Sequence, residues 1–174
     1  DALFPLGGYP GDEDKARELF SKLDQQKTRE DFVTTAQALE KDARGNGKLG
    51  VVGFCYGGGI AHLLATRLPG LAAAVPFYGM SPAPEEAKRV KAALLVHLAE
   101  NDERINGAWP AYEAAMTAAK VTFEIQKYHG TQQGFNNDTT PRYDEAAAQL
   151  AWRRTVALFK KVLGPAAPTA TVKG

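Results

Sequence analysis

The sequence predicts an α/β fold built on a mainly parallel sheet, and three observations carry that reading. Short apolar runs bounded by turn signals recur at 48–54, 71–78 and 93–99, and a fourth run, 121–128, alternates and is rich in β-formers. Stretches with helical spacing separate these runs, which implies βαβ units with right-handed crossovers. Gly53-Phe54-Cys55-Tyr56-Gly57-Gly58 stands where the first run turns into a helix. It has the spacing of a tight strand-to-helix elbow. In such sheets ligand sites lie at the carboxyl ends of the strands.

Each element has its own local reason. Leu6-Gly7-Gly8-Tyr9-Pro10-Gly11 is a loop by its Gly and Pro content. Asp12 caps a helix whose acidic first turn suits the positive end of the dipole, and Ala16, Leu19, Phe20 and Leu23 form its buried face. Thr28 and Asp31 start a second helix in the manner of a capping box, with Phe32, Ala36 and Leu39 on its apolar face, and it stops before Gly45-Asn46-Gly47. Lys48 to Phe54 is a buried strand, followed by a helix with small residues at its start. Leu71–Tyr78 and Ala93–Ala99 are two more buried strands, with a short helical piece near Glu85–Val90 between them. A helix from about Ala108 to Lys120, the strand Val121–Tyr128, a loop and a helix from Asp144 to Leu163 complete the order. Residues 1–163 read as part of one domain, and 164–174 as a disordered tail.

Composition excludes several classes. A net charge of +1 gives no reason to expect a nucleic-acid or anionic-membrane partner, and no apolar run approaches the length of a membrane helix. Cys55 is the only cysteine, so no disulfide forms within the chain. The reading names no cofactor and no metal ligand. Asp1-Ala2-Leu3-Phe4-Pro5 looks like the interior of a longer protein, so no leader is visible and the compartment stays open.

Cys55 is the candidate nucleophile. The elbow lifts its side chain above the sheet, its backbone should be strained, and tight flanks explain Gly53 and Gly57. The start of a helix is expected to lower the thiol pKa, and the N–H of Tyr56 to serve as one oxyanion donor. A small buried cysteine in a glycine-rich turn is the alternative. A dinucleotide-binding loop fails on pattern, because it needs glycine where Cys55 stands. Asp102 closes the third strand and puts a carboxylate at the same sheet edge.

These motifs together resemble the dienelactone hydrolase family of α/β-hydrolases, across nearly the whole chain. Gly53 to Gly58 is similar to its cysteine elbow, Ala99-Glu100-Asn101-Asp102 to its acid turn, and Tyr128 to Phe135 to its base loop. The resemblance implies the C-terminal half of a three-layer α/β-hydrolase fold and a triad of nucleophile, acid and histidine. It places the triad histidine on Gln133. An imidazole accepts the thiol proton and returns it to the leaving group, whereas an amide does not titrate. The expectation is a small ester or lactone substrate, a Cys55 thioester and impaired turnover. His129, four residues upstream, is the candidate substitute base if the loop refolds. His62 is expected to pack or face solvent, and His97 to be a hydrogen-bonded core histidine.

The resemblance also implies an arginine four residues after the histidine, to hold a substrate carboxylate. That position is Asn137, with Arg142 nearby but unmatched. Tyr78, Gly79 and Trp109 are candidate pocket residues. The family's leading strands have no counterpart before the elbow. A companion N-terminal fragment or a second chain is therefore expected to complete the sheet. The rival reading is a binding or regulatory protein of the same fold.

Overall fold

The computed structural model describes residues 2–164. Its elements run α1 (Glu13–Ser21), α2 (Gln25–Glu40), β1 (Leu49–Phe54), α3 (Tyr56–Arg67), β2 (Leu71–Phe77), β3 (Ala93–Asn101), α4 (Glu103–Asn106), α5 (Trp109–Ala118), β4 (Phe123–Gln132) and α6 (Glu145–Leu163). A 3₁₀ turn, Pro84–Arg89, links β2 to β3. The four strands form one parallel sheet in the order β1-β2-β3-β4, as the strand–helix alternation predicts. Apart from Gly164, the expected tail lies outside the described residues.

Side chains alternate across a strand, so each strand feeds two cores. On β3, Leu94, Val96 and Leu98 join Ile60, Leu64, Tyr112 and Met116 under α3 and α5. Leu95 and Ala99 point the other way, to Phe77, Phe135 and the small residues Ala147 and Ala151 of α6. Helices thus cover both faces and make three layers. His97 lies on the α6 side as a satisfied core histidine. Its Nε2 is 3.1 Å from Thr155 Oγ1 and its Nδ1 is 2.9 Å from Tyr128 Oη. Burial holds its pKa down at about 3, helped by Arg154.

Several expectations need correction. Helix α2 begins at Gln25 because Asp24 accepts the N–H groups of Gln26 and Lys27, so Thr28 and Asp31 are internal to it. Its inner face is Thr28, Val33 and Ala36, while Leu39 is exposed. The face of α1 is only half-buried. Strand β1 is mostly half-buried rather than buried, since it has a neighbour on one side only. Strand β4 continues four residues past Tyr128, because Asn101 and Gln132 still pair after a register shift.

Candidate active site

Cys55 joins β1 to α3 with φ 52 and ψ −114, in the strained left-handed region expected of an elbow. Its N–H donates to Phe77 O at 3.1 Å, and its carbonyl accepts from Gly59 N–H at 3.3 Å. These bonds tie the turn to β2 and to the first turn of the helix. Gly53 is required, because a Cβ there would lie 1.9 Å from Gly57 O. Gly57 is not explained in the same way: a Cβ on it meets nothing within 4 Å. The glycines that bring α3 onto the end of β2 are Gly58 and Gly79. A Cβ on Gly58 would come 2.5 Å from Phe77 O, and one on Gly79 would come 2.3 Å from Gly58 C.

The Cys55 residue is exposed on the wall of a cavity of about 710 Å³. Tyr56, Arg104, Ile105 and Gln133 line the same cavity. The Tyr56 N–H belongs to the first turn of α3, where no intrahelical carbonyl is in reach. Its ring stacks edge-on against Phe20 at 4.7 Å, and its hydroxyl donates to Gln25 Oε1 at 3.1 Å. Tyr78 and Trp109 do not line the cavity. Both are buried, at 1% and 3% exposure, in the cores on opposite faces of the sheet.

Asp102 caps the short helix α4, and its Oδ1 accepts from Ile105 N–H at 3.2 Å. The residue is 9% exposed, and its Oδ2 is buried with no hydrogen-bond partner among the described residues. Buried carboxylate oxygens normally have a donor, so this open acceptor stands out. Asn106 braces the acid turn by donating to Ala99 O at 2.8 Å and Glu100 O at 3.0 Å. Gln133 is half-buried, and its Nε2 donates to Tyr78 O at 3.4 Å. The amide therefore bonds a main-chain carbonyl, and no bond joins it to Asp102 or to the sulfur.

His129 is not brought to the cavity. Its side chain is 95% exposed, with Nδ1 2.7 Å from Glu100 Oε2. Glu100 also accepts from Gly130 N–H at 2.8 Å, and this bond, then His129, holds its carboxyl below the usual range. His62 is fully buried beside Trp109 and Tyr112, with both ring nitrogens unpartnered among the described residues and its pKa pushed down to about 3 by burial.

The thiol does not follow the helix-terminus expectation. Enclosure by the cavity walls raises its pKa above the ordinary thiol value, and the Asp102 charge adds to this. Arg142 and, less strongly, Arg104 oppose the rise. Arg142 was unmatched by spacing, and the fold explains its arrival. Asp144 N–H donates to Phe135 O at 2.9 Å and closes the loop on itself. That closure leaves the Arg142 Nε 3.4 Å from where a Gly134 Cβ would stand, and Gly134 has φ +89. The open side of this glycine is the only sequence signal for the contact.

A family model described as the dienelactone hydrolase family matches residues 3–163. The chain belongs to the dienelactone hydrolase family. Among curated relatives, a Saccharolobus solfataricus protein named "Putative carboxymethylenebutenolidase" is 35% identical over 143 residues, covering 80% of this chain and 55% of that protein. The chain thus spans a little over half the length of such relatives. A solved Klebsiella pneumoniae structure titled "Putative Dienelactone Hydrolase" is 30% identical with a TM-score of 0.71, over 83% of this chain and 65% of that one. The metagenomic dienelactone hydrolase-like phosphotriesterase P91, at 22% identity and a TM-score of 0.74 over 86% of this chain and 69% of its own, shares the fold. The four parallel strands are therefore part of an α/β-hydrolase fold, and the elbow sits at its usual strand-to-helix corner. Among the described residues no helix is long and apolar enough to cross a membrane, and no cluster of His, Cys, Asp and Glu is placed to hold a metal.

Proposed function

We propose that this chain carries the nucleophile half of an ester- or lactone-cleaving site of low turnover. In this reading Cys55 Sγ, as thiolate, attacks the carbonyl carbon. A C–S bond forms, the C–O bond breaks, and the departing alkoxide takes a proton from water. The Tyr56 N–H donates to the developing oxyanion, and water later hydrolyses the thioester. Asp102 is the acid of the triad and Gln133 occupies the place of its base. The observation that supports this most is the strained, cavity-facing Cys55 together with a buried carboxylate whose second oxygen has no donor.

The base step is the weak one. Without an imidazole the thiol proton goes to solvent, which lowers the rate by about 10² to 10⁴. In Gln133→His, the new ring would replace the bond to Tyr78 O and supply the donor that Asp102 Oδ2 lacks. Turnover of p-nitrophenyl acetate is expected to rise by about two orders of magnitude, and Cys55→Ala in that background to abolish it. No gain in Gln133→His would count against the triad assignment. It would favour the second reading, a binding protein of the same fold, which the Gln133–Tyr78 bond supports.

The free edge of β1 belongs to the same proposal. A half-buried strand with one neighbour, in a chain that spans little more than half its relatives, is completed by strands from a companion fragment or a second chain. Phe54 at 38% exposure lies at the carboxyl end of that strand.

A further inference from the structure

We propose that the cavity opening at Cys55 holds the acyl chain of the ester, and that the preferred substrates carry an extended apolar acyl group rather than a compact ring. This rests on the reading of Cys55 as nucleophile. Helix α3 supplies Tyr56, Gly59, Ile60, Leu63, Thr66 and Arg67 to the cavity. That spacing is a single helix face running from the first turn to the last. The cavity therefore follows the helix for about 17 Å from the thiol.

Its floor is apolar at Ile60 and Leu63, and Met80, Pro82 and Ile105 form facing walls. Gly59 keeps the thiol end open. Unlike Gly58, it is not demanded by backbone packing, since a Cβ there would approach only to 3.9 Å of the Met80 backbone. The arginines at the far end are engaged in ion pairs. Arg67 bonds Glu30 through both arms at 2.9 Å, and Arg89 lies 3.1 Å from Glu86, whose charge also reaches Arg67. Of the two cavity arginines without a carboxylate partner among the described residues, Arg104 acts on Cys55 and so lies toward the thiol end, and Arg29 acts on the Tyr56 hydroxyl. A volume of about 710 Å³ is that of a pocket for a drug-sized ligand. A small lactone ring would leave water against the apolar floor.

The test is the acylation of Cys55 by p-nitrophenyl acetate, butyrate, hexanoate and octanoate. The p-nitrophenolate burst is followed together with the intact mass of the thioester. The second-order rate constant is expected to climb along the series, by up to about fourfold per methylene for complete burial. Leu63→Trp, which fills the floor midway, should move the optimum to shorter chains. Met80→Trp does the same from the opposite wall and replaces it should Leu63→Trp fail to fold. Acylation of Cys55 by every ester with a flat or falling series would overturn the chain-binding inference while leaving the nucleophile intact. A rising series that neither tryptophan alters would overturn it as well. No thioester with any ester would remove the nucleophile reading itself.

Discussion

At Cys55 two environments compete for one proton. The cavity walls and Asp102 favour the thiol, and the guanidinium groups of Arg142 and Arg104 favour the thiolate. With burial the largest influence, alkylation by iodoacetamide should rise with pH and inflect above about 8.5, the ordinary cysteine value. Arg142→Gln should move the inflection higher and Arg142→Lys should largely restore it. An inflection well below the ordinary value would contradict this balance. Gly53→Ala should prevent the elbow from forming, since the added carbon would sit inside Gly57 O, and loss of both folding and alkylation selectivity is expected. Circular dichroism and peptide mapping would reveal either. The placement of Cys55, Asp102 and Gln133 at strand ends was readable because each sits in a short local pattern. Arg142 was not, because a loop closed by the Asp144–Phe135 bond brings it back to Gly134, and no spacing rule encodes that return.

Among the elements, the start of α2 is where local pattern and observed capping part. Asp24 accepts two backbone N–H groups, whereas Asp31 makes an exposed ion pair with Lys27 at 2.7 Å. Asp24→Ala should cost about 1 kcal/mol in a urea melt, and Asp31→Ala no more than about 0.5 kcal/mol. Equal losses would mean the cap is misassigned. Thr28 and Asp31 imitate a capping box because the spacing is right, but Asp24 lies four residues earlier and takes the role first. The strands were legible where burial on both faces forces a continuous apolar run, as in β2. The end of β4 was not, since Thr131 and Gln132 carry no apolar alternation and stay in the sheet only by pairing with β3. Helix α4, four residues long, is too short to show a period, and it exists because Asp102 caps it.

Across the whole molecule the two buried histidines couple folding to pH. His62 and His97 stay neutral in the fold, with pKa values near 3, against about 6.5 in the unfolded chain. Between those values the unfolded state binds protons that the folded state refuses. Stability is therefore complete above about pH 6.5 and falls as pH drops toward 3. From pH 7 to pH 5 each histidine should account for about 2 kcal/mol of loss. His62→Phe, which keeps the ring contacts and removes two unpartnered nitrogens, should shrink that loss by its own share. An undiminished loss would mean His62 is protonated in the fold. The bare edge of β1 acts at the same scale. Sedimentation of the purified chain should show an assembly heavier than the 18.7 kDa monomer. A clean monomer that acylates normally would argue against a companion strand.

The unengaged oxygen of Asp102 also bears on how easily the site could change. On the proposed triad, an aspartate held by its cap and its braced turn, with one oxygen unengaged, offers a socket that a histidine ring at position 133 would fill. Glutamine and histidine codons differ only in their third letter. Supplying that proton carrier is thus a single-nucleotide event, and a population encoding this protein samples that step continually.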